Sequence, residues 1–285
     1  MINCLAITPA RDEAQYLPGL IRSMEAQSDR PKRWIVIDDG SVDDTAAILD
    51  QASREHPWIT VHHLARERKR APGGESAIAE FLKPESVRGY DFILRLDADL
   101  SFGPTMLEEL FAEFDRDPTL GIAGAVLLEP CRSGWRRTKG PRFHTRGAVK
   151  VYSVACFDAI GGLRSGVGWD TIDEAHAMML SFTTRSFPHI VAYHHRPQGA
   201  AGGLIRSRFS TGRTAYLIGY SPLFMMMRAI RRIFRPPAVV GSTMMLAGYF
   251  EGCVRRDPRS SPPDLVKFIR RQQLRRLLMM RSVWR

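Results

Sequence analysis

The chain has 285 residues, 44% hydrophobic and 25% charged, a globular balance that excludes a disordered or low-complexity chain and leaves room for one large domain or a domain with an appendage. The net charge of +11 is uneven: residues 203–285 hold 17 Lys/Arg against 3 Asp/Glu, whereas residues 1–202 hold 24 against 27. A nearly neutral body therefore precedes a basic tail, which points to nucleic acid or an anionic membrane surface.

Leu5-Ala6-Ile7-Thr8 reads as a first strand, and Pro9-Ala10-Arg11-Asp12-Glu13 turns into a helix with an apolar stripe at Leu17, Leu20, Ile21 and Met24. Trp34-Ile35-Val36-Ile37 is a second strand ending in Asp38-Asp39-Gly40-Ser41. Ser41 with Asp44 resembles a capping box for a helix from Asp43 to about Arg54. A third strand covers Ile59 to Leu64, and residues 65–76 form a basic loop entering a helix around Ser76–Leu82. The run Phe92-Ile93-Leu94-Arg95-Leu96 is short, apolar and strand-like, and it ends abruptly in Asp97-Ala98-Asp99. Pro104 starts a helix with Met106, Leu107, Leu110, Phe111 and Phe114 on one side, and Ile122 to Leu128 is a further strand. Residues 131–147 read as an irregular segment across the site, Ala148 to Cys156 as a strand, and Trp169 to Ser181 as a helix after glycine-rich turns. Ile190-Val191-Ala192-Tyr193 then runs into His194-His195-Arg196.

This alternation predicts an α/β fold, a mainly parallel open sheet flanked by helices, with a catalytic domain over 1–200 and a helical basic region over 201–285. The four cysteines show no paired spacing. Cys4 and Cys156 lie in apolar runs as core thiols, and a reducing, cytoplasmic setting fits. No basic stretch followed by an apolar one opens the chain, so no secretory signal is expected.

The chemistry concentrates where strands end. Each acid-rich turn, from Thr8 to Glu13, at Asp38-Asp39 and at Asp97-Asp99, follows a strand, and parallel strands would bring all three to one edge, where open α/β sheets place ligands. Two carboxylates one residue apart offer hard oxygen donors to Mg²⁺ or Mn²⁺. Helix capping also favours Asp and Ser after strands. It accounts well for Ser41 and Asp44 but less well for Asp97-Ala98-Asp99, since Pro104 starts the next helix several residues later. Asp170 and Asp173 stand three apart at a helix start, where the dipole keeps a carboxylate ionised, as either a base or a cap.

Ile37-Asp38-Asp39-Gly40-Ser41-x-Asp43-x-Thr45, Leu96-Asp97-Ala98-Asp99 and a Gly161-Gly162 turn followed by Trp169-Asp170 occur in an order that resembles the family 2 glycosyltransferases of GT-A fold, over about residues 3–196. The resemblance implies inverting, metal-dependent transfer of a sugar from a nucleotide-sugar to a hydroxyl of a glycan or lipid-linked acceptor, in bacterial surface or exopolysaccharide synthesis. It implies a cation at Asp97 and Asp99, with His195 or His194 as third ligand. It also places Thr8, Pro9, Ala10, Glu13, Asp38, Asp39, Asp97 and Ala98 around the nucleotide, and Arg68 and Arg70 near the diphosphate. Asp170 is the first choice for the base and Asp173 the second. Many members carry Glu-Asp where this chain has Trp169-Asp170. Gln272-Gln273-Leu274-Arg275-Arg276 lacks the tryptophan of the Gln-x-x-Arg-Trp motif of chain-extending members, which argues against processive synthesis.

In the tail, apolar segments are flanked by arginines, and residues 238–254 are too interrupted to span a bilayer. With Phe224 and Trp284 available, these segments suit helices lying in a membrane interface, giving a peripheral enzyme on the inner face of the cell membrane. Two other readings fit less well. A nucleotidyltransferase would carry a glycine-rich loop after the first strand, and a nucleic-acid-binding protein would carry interleaved aromatic platforms.

Overall fold

The computed structural model describes residues 2–65, 78, 81, 82, 84–164, 166–196, 203–234 and 237–284. It divides into two compact units, Met1–Gly166 with Leu180–Arg196, and Val167–Met179 with Pro197–Arg285. The second unit thus includes a helix that the sequence reading placed within 1–200.

The first unit is built on one mixed sheet. Strands β1 (Ile2–Ala10), β2 (Pro31–Asp38), β3 (Ile59–His63) and β4 (Phe92–Leu96) are parallel neighbours in the order β3-β2-β1-β4. Helices α1 (Leu17–Glu25) and α2 (Thr45–Glu55) make the first two crossovers. The parallel block ends there. β8 (Val149–Ser153) pairs antiparallel with β4, and β6 (Leu120–Cys131), β9 (Thr183–His194) and β5 (Leu100–Phe102) complete the path β8-β6-β9-β5.

Burial explains the strand sequences. Leu5, Ala6, Ile7, Val36, Ile37, Ile93 and Leu94 are all buried, as the doubly covered strands of a parallel block require. The stripes on α1 and on α3 (Met106–Arg116) face this core as their spacing predicts, with Leu17, Leu20, Met24, Leu107, Leu110 and Phe111 packed around Trp34 and Leu94. Cys4 and Cys156 are buried free thiols.

Three local features depart from the sequence expectations. Residues 131–147 are not wholly irregular: β7 (Gly134–Arg137) folds back on β6, with Leu128 opposite Arg137 and Cys131 opposite Gly134. The strand expected to Cys156 stops at Ser153, whose hydroxyl accepts the Cys156 amide and caps α4 (Val154–Ala159). Asp44 occupies the N-cap position of α2 without a side-chain capping bond, so the proposed Ser41–Asp44 box does not form. The helix expected around Ser76–Leu82 lies mostly outside the described residues.

The second unit contains α5 (Trp169–Met179), α6 (Gly203–Ile218), α7 (Pro222–Arg232), α8 (Ala238–Arg255) and α9 (Pro263–Leu277). Its core holds Ala215, Tyr216, Met225, Ala229, Met245 and Tyr249. Gln273 accepts the Ser221 amide at 2.8 Å, and Gln272 accepts the Ser282 hydroxyl at 3.0 Å, so both glutamines serve local structure. Trp284, expected to be available to a membrane, is buried beside Tyr220. No helix among the described residues is long and apolar enough to cross a membrane.

α6 and α8 touch through their backbones. A Cβ on Gly212 would lie 1.8 Å from the Met245 carbonyl oxygen, and one on Gly248 would lie 2.0 Å from that of Phe209. Neither obstacle is a side chain that could rotate away. Gly248→Ala is expected to destabilise this unit by about 1–3 kcal/mol, the usual cost of overpacking. Urea unfolding followed by circular dichroism checks this, and an unchanged midpoint would refute the close crossing.

Candidate active site

The carboxyl ends of β1, β2 and β4 share one edge of the sheet, as the register of Ala10 with Asp38 and of Ile7 with Arg95 requires. The acidic turns follow these ends, and two systems of bonds shape them.

The first ties the β1–α1 loop to the β2–α2 loop. The amide of Asp12 donates to Ser41 Oγ at 3.0 Å, that of Glu13 to Thr45 Oγ1 at 2.8 Å, and that of Ala14 to Asp43 Oδ2 at 3.1 Å. In return the Val42 amide donates to Asp12 Oδ1 at 2.8 Å, and the Asp39 amide to the Ala10 carbonyl at 2.9 Å. The Asp-Asp-Gly-Ser-x-Asp-x-Thr motif is therefore largely a clasp. Asp38 illustrates this: it is buried, its Oδ1 accepts the Ser41 amide and hydroxyl, and its Oδ2 lies 2.8 Å from His63 Nδ1. It braces the loop where the sequence reading had it facing a nucleotide. Thr8 is also turned inward, its hydroxyl accepting the Trp34 indole N–H at 3.0 Å, and Ala10 is buried. Asp39 stays partly exposed, 3.9 Å from Arg11. Arg68 and Arg70 lie outside the described residues.

The second system surrounds Asp97 and Asp99. β5, which the sequence reading missed, leaves this turn and pairs antiparallel with the end of β9, Leu100 opposite His194, while the His195 amide donates to the Asp99 carbonyl at 2.9 Å. That pairing selects the histidine. His194 Nε2 lies 3.3 Å from Asp99 Oδ1, whereas His195 Nε2 bonds Ser101 Oγ at 2.8 Å and its ring stacks on Tyr16. Of the two candidate histidines, His194 is therefore the one set beside Asp99. Ligand atoms of Asp97, Asp99 and His194 all lie within 4.8 Å of one another. A six-coordinate Mg²⁺ or Mn²⁺ spaces its ligands about 3–4 Å apart, so the group fits such an ion with little adjustment. His194 Nδ1 and Glu129 Oε1, 3.8 Å apart, are buried without hydrogen-bond partners among the described residues. A carboxylate behind the imidazole suits a metal ligand whose other nitrogen needs orienting.

Charge at this edge is finely balanced. Burial opposes protonation of His194, but Asp99, Asp97 and Glu129 outweigh it and raise its pKa above 6.5. Burial pushes Glu13 up to about 7, against the pull of Arg196, with Asp99 and Asp97 adding to the rise. Arg95, buried within the strand, pairs with Asp97 at 2.9 Å and donates to the Gly147 carbonyl. Arg196 bridges Glu13 and Asp99. Sequence reasoning passed over Arg95, Arg196 and Glu129. Arg95 alone gave a signal, as a charge inside an otherwise apolar strand.

Asp170 and Asp173 belong to the second unit, in the first turns of α5. Asp170 is half-buried and Asp173 is 5% exposed, its Oδ1 accepting the Glu174 amide at 2.7 Å.

A curled open sheet with acidic turns at its carboxyl edge and a carboxylate–carboxylate–histidine group defines an enzyme of the GT-A class. Residues 5–164 match Glycosyl transferase family 2, and the chain belongs to that family. It is 37% identical over 112 residues to an undecaprenyl-phosphate mannosyltransferase of Micrococcus luteus, covering 38% of this chain and 43% of that protein. It is 32% identical over 136 residues to an undecaprenyl-phosphate 4-deoxy-4-formamido-L-arabinose transferase of Pseudomonas savastanoi pv. phaseolicola, covering 46% and 37%. The match thus spans less than half of each relative. In fold the chain resembles the Pyrobaculum calidifontis mannosyltransferase PcManGT in complex with GDP-Man and Mn²⁺, with a TM-score of 0.56 at 15% identity over 94% of this chain and 78% of that one. It also resembles S. aureus TarS in complex with UDP-GlcNAc, with a TM-score of 0.55 at 15% identity over 88% and 72%.

His63 offers a test of the clasp. Its hydrogen bond to Asp38, opposed by burial and helped by Asp50 at 3.1 Å, raises its pKa above 6.5. The stabilisation is fully present below about pH 6.5 and is lost as pH rises through the raised value. Because the ring is 42% exposed, it amounts to no more than about 1 kcal/mol. Thermal melts of wild type and His63→Gln from pH 5.5 to 8.5 should converge at the alkaline end; a constant gap would contradict the pairing.

Proposed function

We propose that this chain transfers a sugar from a nucleotide-sugar to a membrane-borne acceptor with inversion at the anomeric carbon. The observation that carries this reading is the Asp97–Asp99–His194 group at the carboxyl edge of a GT-A sheet in a family 2 chain. A divalent cation bound there, Mn²⁺ or Mg²⁺, supplies Lewis-acid stabilisation of the departing diphosphate. Asp97, Asp99 and His194 would hold the ion, and Arg95 fixes the Asp97 carboxylate at 2.9 Å. Asp39 and the loop from Pro9 to Glu13 are proposed to line the nucleoside, with Arg68 and Arg70 near the diphosphate.

A single displacement needs one base when the nucleophile is a hydroxyl. Asp170 is assigned that role: it is the more accessible carboxylate of its pair and lies in the first turn of α5. The relatives are named for undecaprenyl phosphate, and a polyprenyl-linked acceptor is the proposed partner. The surface of the second unit supports a membrane encounter. Sixteen of the nineteen exposed large hydrophobic side chains among the described residues lie there. Leu223, Met226 and Ile230 form the outward stripe of α7, and Phe234 just beyond it is 92% exposed. Arg228, Arg231 and Arg232 flank that stripe, so an anionic bilayer answers both its apolar and its charged character. The proposed location is the cytoplasmic face of the cell membrane.

A panel of UDP- and GDP-sugars with Mn²⁺ and polyprenyl-linked acceptors tests the reaction. EDTA should abolish turnover and Mn²⁺ restore it, and Asp99→Asn should lower kcat/KM at least about 10²-fold; full activity of that variant would refute the metal assignment. Asp170→Asn should cost about 10²–10⁴-fold with a hydroxyl acceptor. A retained rate with that acceptor would refute Asp170 as the base.

The membrane reading has its own check. Co-sedimentation with phosphatidylglycerol vesicles should be strong for wild type, weak in high salt, and lost when Ile230 and Phe234 are both changed to Asp. Equal retention by neutral phosphatidylcholine vesicles would remove the electrostatic part of the argument.

A further inference from the structure

Two arginines serve the acidic edge, and they differ in mobility. Arg95 is 3% exposed and held on both sides, by Asp97 at 2.9 Å and by the Gly147 carbonyl. Arg196 lies two residues beyond the end of β9 and is 48% exposed. Its Nε lies 3.5 Å from Asp99 Oδ2, its Nη2 meets Glu13 Oε2, and its guanidinium rests 5.5 Å from the centre of the Tyr16 ring. The other oxygen of Asp99, Oδ1, faces His194 Nε2 at 3.3 Å. One carboxylate is therefore flanked by a metal-ligating imidazole on one side and a solvent-accessible cation on the other.

We propose that Arg196 is a displaceable counter-ion, which competes with the divalent cation for Asp99 and couples cation binding to diphosphate binding. The inference rests on the assignment of Asp97, Asp99 and His194 to the metal. A 2+ ion on Asp99 stands within a few ångströms of the guanidinium, and the two repel at low effective dielectric. Arg95 cannot yield, because its bonds are buried. Arg196 has room to swing its Nε off Asp99, since half of its side chain already faces water. Its planar fork matches phosphate oxygens as well as it matches carboxylates. A diphosphate then compensates the two positive groups together, so cation and diphosphate each improve the other's affinity, and by linkage to the same extent. Tyr16 is a positioning residue in this scheme, offering the guanidinium a ring face when it leaves Asp99.

The test separates two affinities on the full chain. Mn²⁺ binding to the protein alone, followed by electron paramagnetic resonance, should tighten about three- to tenfold in Arg196→Gln, because a competing charge is gone. Binding of inorganic pyrophosphate at saturating Mn²⁺, followed by calorimetry, should weaken about tenfold in the same variant. Loss of fold would weaken both, so opposite signs identify the coupling. Arg196→Lys keeps the charge without the fork, and should bind Mn²⁺ like wild type and pyrophosphate with intermediate strength. Unchanged or weaker Mn²⁺ binding in Arg196→Gln overturns the proposal, as does tighter Mn²⁺ binding with unaltered pyrophosphate affinity. If wild type itself fails to bind Mn²⁺, the metal assignment falls and this inference falls with it.

Discussion

The donor set depends on one short antiparallel contact. Where β5 leaves the Asp97-Ala98-Asp99 turn it pairs for three residues with the end of β9, and the His195 amide closes that ladder on the Asp99 carbonyl. Side chains alternate along a strand, so a slip of one residue would exchange His194 for His195 beside Asp99. The exchange would put a ring now engaged with Ser101 and Tyr16 where an imidazole must face two carboxylates. The grouping of His194 with the two carboxylates thus rests on a register, held by backbone bonds.

A second theme is how much of the acidic character is structural. Asp38, Asp43 and Asp12 give oxygens to amides, hydroxyls or an imidazole of neighbouring loops, and Thr45 and Ser41 do the same. The loops they join form part of the edge, so the motif builds a surface by satisfying its own backbone donors. The carboxylates left outside the clasp are few: Asp39, Asp97, Asp99 and Glu13, with Arg95 and Arg196 to balance them. Concentrating carboxylates in this way requires counter-charge close by, and Arg95 supplies the permanent share from inside the sheet.

Much of this was legible beforehand, and the exceptions have physical causes. The parallel strands announced themselves as apolar runs ending in acids, and the stripes of α1 and α3 carried the helical period, so the edge and its Asp97–Asp99 pair followed. β5 was hidden because three residues carry no period, and with it went the choice between two adjacent histidines. The bracing by Asp38 was hidden because a sequence shows a carboxylate but not its partners, here Ser41 and His63. The hairpin of β7 was masked by its arginines and glycine, which read as loop although backbone pairing formed the ladder. Trp284 was taken as a surface anchor on composition alone; its burial against Tyr220 is a tertiary fact that no local pattern announces.

The Gly212–Gly248 crossing has a consequence for how the protein behaves outside its native surroundings. Helices cemented through main-chain proximity leave little room between them for large side chains, and Val239, Val240, Phe250 and Val254 of α8 are turned to the exterior. Such a helix pair is rigid inside and greasy outside. Exposed apolar surface of this kind marks either a contact site or a liability to aggregate in plain buffer.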